Sequence, residues 1–302
     1  MLDSGAFSNW TRPDRAVSIH DYIAFLKDHA GLISRYMVLD SIAGSNGRRE
    51  YCEDLIEQAA AQSYKNTQTM KDAGLHPLPV VHQGERFSWI EKYVEDGETY
   101  LCLTPNKRLP YTRSRIIGWL DDCFSILDDG AGKPRVKVHG LGVTALDLVW
   151  RYKWASVDSS TWVTQSKVGQ VPIPIYVDGA PDYTCRHDQV TVTERSRRRR
   201  NHLSGIVSDY DQYRLNCFLE HCGVTLKQVQ DKADYRWRVW AHFLRGLEEA
   251  SGTQIFHVVG SCSQMRAVLR ECGCNRWLIS FAALQSKTGK GSDRLAKWCS
   301  EE

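Results

Sequence analysis

Arg135-Val-Lys-Val-His-Gly-Leu-Gly-Val-Thr144 and, one helix further on, Trp154-Ala-Ser-Val-Asp-Ser-Ser-Thr-Trp162 decide how this chain is read. Each stretch holds a short β-branched run that ends in small or polar residues. The second also ends in a carboxylate, Asp158. Residues Thr144–Arg151 between them suit a helix. The pattern is a β-α-β unit with its polar residues at the C-terminal ends of the strands, where α/β barrels carry their active sites. The chain opens on another such end, Met1-Leu-Asp-Ser-Gly-Ala-Phe7, with Asp3 at the strand tip.

Working outward, strand and helix candidates alternate. Ser18-Ile-His-Asp21 looks like a capping box that opens a helix. Tyr36-Met-Val-Leu-Asp40 reads as a strand ending in a carboxylate. A long helix follows from about Arg49 to Ala73, stopped at Gly74. Leu78-Pro-Val-Val-His-Gln83 and Thr99–Thr104 read as strands, Phe87–Tyr93 and Arg113–Leu127 as helices. After Trp162 the grammar changes to short alternating runs with Pro and Gly. Helices are then expected at about Tyr210–His221 and Asp231–Ala250. The βα pattern resumes at Ile255–Val259, Ser263–Glu271 and Trp277–Phe281.

Six strands before residue 160 and two after residue 254 give the eight of a (β/α)8 TIM-like barrel. The expected division is 1–162 for the first six strands, 163–254 for an inserted α-rich subdomain with a basic loop, and 255–302 for two βα units that close the barrel.

Composition fits a globular protein of 302 residues, 42% apolar and 25% charged. No apolar run approaches the ~20 residues of a membrane span, and no signal-like segment opens the chain. A cytoplasmic protein is expected. The ten cysteines are irregularly spaced, which suits free thiols in a reducing compartment. Net charge is only +3, but Arg195, Arg197, Arg198, Arg199 and Arg200 fall within six residues. Such a run is either a solvated loop or a clamp on nucleic-acid phosphates.

Taken together, these strand ends resemble those of the tRNA-guanine transglycosylase superfamily, and especially its phage-type DNA-guanine transglycosylase-like members. Asp3-Ser-Gly-Ala-Phe7 resembles the family's Asp-Ser-Gly-Gly-Phe/Tyr. Met37-Val-Leu-Asp40, Gln83-Gly84, Leu141-Gly142 and Val157-Asp158 resemble, in order, its other base- and sugar-contacting strand ends. The resemblance covers residues 1–160. It implies that Asp158 is the nucleophile and Asp3 the general acid/base. It implies that Ser4, Gly5, Asp40, Gln83, Leu141 and Gly142 surround the base, and that the Arg195–Arg200 run holds the backbone.

The implied partners are DNA, or alternatively tRNA, and a 7-deazaguanine base. No membrane and no cofactor are implied. The setting is the host cytoplasm if the protein is phage-encoded, and a homodimer stays open.

Three departures matter. The family's Gly-Gly after the fourth strand reads Leu103-Thr104 here. Its zinc-binding Cys cluster is absent near Cys185, so no metal is carried over. Two βα units that precede the Asp-Ser-Gly strand in the family resemble Phe256–Gly260 and Leu278–Phe281 at the far end of this chain, which implies a circularly permuted barrel.

The bland readings stand beside these. His82 and His139 read as hydrogen-bonded rim residues rather than metal ligands. His257, Cys262, Cys272 and Cys274 lack the spacing of a zinc knuckle. Trp237 and Trp240 read as core packing. Two other functions compete with base exchange: a catalytically silent nucleic-acid-binding subunit, and a simple glycosidase using paired carboxylates.

Overall fold

The computed structural model describes residues 1–13, 16–45, 48–49, 52–105, 112–196, 201–205, 208–273, 277–281 and 284. In chain order the elements are β1 (Leu2–Asp3), α1 (Ala6–Thr11), α2 (Ile19–Asp28), β2 (Gly44–Ser45), β3 (Arg48–Arg49), α3 (Glu53–Asp72), β4 (Val80–His82), α4 (Ser88–Glu95), β5 (Tyr100–Thr104), α5 (Arg113–Leu127) and β6 (Lys137–Gly140). There follow α6 (Leu146–Arg151), β7 (Ser156–Ser159), α7 (Thr161–Lys167), β8 (Gln170–Ile173), β9 (Ile175–Val177), β10 (Ala180–Asp182) and β11 (Asp188–Thr191). The rest are α8 (Asp209–His221), α9 (Leu226–Asp231), α10 (Ala233–Ser251), β12 (Gln254–Val259), α11 (Cys262–Cys272) and β13 (Trp277–Ser280).

The fold is mixed α/β with a seven-stranded parallel sheet. The chain divides into two compact units. One comprises residues 1–142, 153–155 and 278–302; the other comprises 143–152 and 156–277.

In the first unit β4 pairs with β5 and β5 with β6, all parallel. Residues from the two ends of the chain also pair: Leu2 lies opposite Ile279 and Asp3 opposite Ser280, again parallel. The Trp277–Phe281 segment is thus hydrogen-bonded beside residues 1–4, as expected. Parallel bridges Leu2–Tyr36 and Met37–Leu78 carry the hydrogen bonding from β1 toward β4. The core is aromatic where α2 meets the end of the chain. The Phe281 ring lies 5.0 Å from Tyr22 and 4.6 Å from Phe25, and all three side chains are buried.

The Tyr36–Asp40 segment corrects the expectation of a full strand. Only Tyr36 and Met37 join the ladder. Asp40 N–H then donates back to the Val38 carbonyl at 2.9 Å, a tight turn that lifts the chain off the sheet. Side chains take over there. Tyr22 Oη donates to the Met37 carbonyl (2.9 Å), Asn66 Nδ2 to the Leu39 carbonyl (2.6 Å), and Ser63 Oγ accepts from Ser41 N–H (2.9 Å).

In the second unit β7 and β12 pair in parallel, with Val157 opposite Ile255 and Asp158 opposite Phe256. The strand expected at Trp154–Val157 therefore starts at Ser156 and runs on to Ser159, since residues 156–159 are the ones with partners on β12. Two antiparallel pairs, β8 with β11 and β9 with β10, follow. Helix α10 packs on α7 and α11. Trp240, Phe243, Phe218 and Trp162 are fully buried, and Trp240 Nε1 donates to the Gln170 carbonyl at 2.9 Å. Trp240 is thus core packing, as its helical spacing predicts.

Several helix ends follow sequence rules. Ser18 Oγ accepts from Asp21 N–H at 3.1 Å and opens α2. Gly273, with φ +59°, ends α11 in the left-handed region that residues with a β-carbon avoid.

Candidate functional site

In the first unit, the C-terminal ends of parallel strands bring together residues far apart in sequence. Ser4 and Gly5 follow β1, Asp40 follows the bridged segment, and His82 and Gln83 end β4. Ser4 Oγ donates to Asp40 Oδ1 at 3.2 Å, and His82 Nε2 donates to Asp40 Oδ2 at 2.8 Å. Ser4 is fully buried and its oxygen also accepts from Ala6 N–H at 3.3 Å, so its hydroxyl orients Asp40. Gly5, with φ +82°, turns the chain into α1.

Asp3 ends β1 and immediately precedes Ser4. Burial raises the Tyr22 hydroxyl well above its ordinary range, and the charges of Asp3 and Asp40 raise it further. Tyr22 stays a neutral donor there.

Gln83 is buried and commits an amide N–H to the Arg115 carbonyl at 3.0 Å. Leu141 N–H donates to the Leu103 carbonyl at 3.0 Å, and Gly142 follows with φ +66°. Leu103 is fully buried.

The His82–Asp40 contact is what sequence reasoning missed. His82 was expected at the rim as a hydrogen-bonded residue, and it is one. Its partner lies 42 residues away, on a segment that leaves the sheet. A signal was available: both residues stand at the ends of successive strand candidates, so parallel pairing puts them side by side.

In the second unit, Asp158 lies on β7 and is 5% exposed. The next residue, Ser159, accepts from Thr144 Oγ1 at 3.1 Å and from Thr161 N–H at 3.1 Å, which pins the start of α7 to the strand end. His257, opposite Ser159 on β12, is buried against the edge of Trp162 at 5.7 Å. Burial pushes its pKa down to about 4, and its ring nitrogens have no hydrogen-bond partner among the described residues. Among the described residues no group of three or more His, Cys, Asp or Glu side chains is placed to hold a metal ion. Cys52, Cys102, Cys123, Cys185, Cys217 and Cys222 are free thiols.

Arg195 is exposed on a 3-10 turn, Glu194–Ser196. Arg197, Arg198, Arg199 and Arg200 lie outside the described residues. Among the described residues no helix is long and apolar enough to cross a membrane.

No protein-family model, no curated protein and no solved structure matches this chain.

Proposed function

We propose that the chain is a transglycosylase that exchanges guanine for a 7-deazaguanine base in nucleic acid, with DNA favoured over tRNA. The observation that carries this reading is the Ser4–Asp40–His82 cluster, at the C-terminal ends of parallel strands, with Asp3 the residue before Ser4. The scaffold of the reading is a circularly permuted (β/α)8 barrel. In its favour are the parallel pairing of β13 with β1 and the isolated parallel bridges Leu2–Tyr36 and Met37–Leu78.

Each part of the chemistry falls to a named group. An Asp158 oxygen attacks C1′ of the target nucleotide, and the C1′–N9 bond breaks with its electron pair going to guanine N9. Asp3 gives a proton to the departing base and takes one from the incoming base. The incoming nitrogen then displaces Asp158 and releases the ester. Asp40 reads the base edge. A carboxylate has about four lone-pair sites. Ser4 and His82 occupy one on each oxygen, leaving one on each for adjacent ring and exocyclic N–H groups of a guanine-like edge. A purine without those donors leaves these two remaining sites of Asp40 unfilled and binds poorly. The target base has to leave its stack, so single-stranded or loop sites react faster.

The test is incorporation of radiolabelled guanine into double-stranded DNA, single-stranded DNA and tRNA offered in parallel. Label is expected in DNA and absent with Asp158→Ala, whose circular dichroism should match the parent. Exchange by Asp158→Ala sinks the reading. Label in no polymer, with DNA still bound, points to a silent nucleic-acid-binding subunit, the reading that a buried Leu103 in place of glycine favours.

A further inference from the structure

A cavity of about 840 Å³ lies within the second unit, walled by α6, β8, β11, α8 and the loops between them. None of the strand-end residues discussed above lines it. Its size falls in the range of small-molecule sites, roughly 300–1,000 Å³. Part of the lining is apolar and aromatic: Ile173 and Val190 are buried, and Trp150 is 38% exposed with its indole N–H already donated to the Tyr183 carbonyl at 2.9 Å. What Trp150 still offers is the flat of its ring.

The rest of the lining holds polar groups that the protein buries without satisfying. Arg214 is 3% exposed. Its two carboxylate partners, Asp188 at 2.7 Å and Asp211 at 2.6 Å, both accept from the same nitrogen, Nη2. Among the described residues its Nε and Nη1 have no hydrogen-bond partner.

His202 is 5% exposed. Its Nδ1 accepts from Ser204 N–H at 3.1 Å, which fixes the proton of the neutral ring on Nε2. That Nε2–H is also without a partner among the described residues. His187 completes the wall. Burial pushes its pKa down to about 4, so near neutral pH it carries one donor and one acceptor nitrogen, both unpartnered among the described residues. Native proteins leave few buried polar groups in this state, and each one calls for an explanation.

The charge on this wall is compensated rather than absent. Two carboxylates offset the Arg214 guanidinium, while Arg186 and Asp147 stand as opposite charges elsewhere on the lining. A strongly anionic or cationic guest gains nothing from such a lining. A flat, neutral guest with several acceptors gains both ring contact and hydrogen bonds.

We propose that this cavity is a binding site for a neutral, acceptor-rich heteroaromatic ring of the oxo-purine or oxo-pyrimidine nucleoside class. The ring stacks on Trp150, and its carbonyl and ring-nitrogen acceptors meet the Nε–Nη1 edge of Arg214 and Nε2–H of His202. The site is independent of the base-exchange reading and stands or falls without it.

The test uses inosine and uridine as probes, titrated into the full chain by calorimetry, with phenyl phosphate and cyclohexanol as controls. Inosine or uridine should bind, and Arg214→Lys and Trp150→Ala should each weaken binding at least tenfold. Arg214→Lys keeps the charge toward Asp188 and Asp211 and removes the planar edge. Side-chain NMR gives a readout that needs no variant to fold: the Arg214 Nε–H and His202 Nε2–H resonances of the parent protein should shift on titration. Three results overturn the proposal: no nucleoside binding at millimolar concentration, binding that both variants and both resonances ignore, or binding of phenyl phosphate in preference to the nucleosides.

Discussion

The Ser4–Asp40–His82 cluster and the Arg214–His202 wall are both buried polar sites, yet they are built in opposite ways. In the first, the groups pair with one another: a hydroxyl and an imidazole each take one oxygen of one carboxylate, and within the cluster His82 Nδ1 alone lacks a partner among the described residues. In the second, a guanidinium and an imidazole keep donors that nothing among the described residues accepts. The difference teaches which site depends on a ligand. A closed network holds its geometry alone, because removing any member leaves the others unpaired at a cost of about 1–3 kcal/mol each. An open one loses little when a donor is removed and gains when an acceptor arrives.

The largest expected effect breaks the closed site. Asp40→Ala strips partners from both Ser4 and His82 and should lower unfolding free energy by about 3–5 kcal/mol, the range for a broken buried pair. Urea denaturation checks it; a loss under about 1 kcal/mol would show that the cluster is not self-supporting.

Next comes the unpartnered imidazole of the second unit. His257 is held neutral, with its pKa pushed from 6.5 to about 4. The unfolded chain takes up a proton below 6.5 that the folded chain refuses until about pH 4. Stability is therefore fully present above pH 6.5 and falls as pH drops through this window, by up to about 3 kcal/mol. His257→Phe should flatten the corresponding part of the Tm–pH curve, and an unchanged slope would refute the assignment.

A smaller effect is expected for His82→Phe, about 1–3 kcal/mol, since Ser4 still holds Asp40. The smallest falls on the open site. Arg214→Lys without ligand should change stability by less than about 1 kcal/mol, because the ammonium takes over the pairing of Nη2 with Asp188 and Asp211 and the other two nitrogens have no partner to lose among the described residues. A loss as large as that of Asp40→Ala would erase the contrast between the two sites.

Much of this was legible in the sequence, and the part that was not has a physical cause. Helix ends set by local chemistry, such as the Ser18 cap and the Gly273 stop, could be read directly. So could strand ends, since the parallel pairing of β4, β5 and β6 follows from βα alternation. The Asp40 segment defeated the reading because Asn66 and Ser63, on a helix some twenty residues later, hold it off the ladder. Helix α1 was missed because it is only six residues long and has no side-chain cap. The cavity was invisible for a stronger reason. Its walls come from Ala145 through Arg214, and no local pattern records which donors will lack acceptors once those walls meet.

The pairing of Leu2 with Ile279 sets a condition on the order of folding. Loop closure grows costlier with the length of chain enclosed, and contacts this distant in sequence form late. During synthesis Leu2 can bridge to Tyr36 early, but its other edge stays unpaired until Ile279 has been made. For that interval the nascent chain carries an open strand edge, which chaperones or the neighbouring nascent chain can reach. Refolding should accordingly show a slow final phase that reports on Phe281 closing over Tyr22 and Phe25.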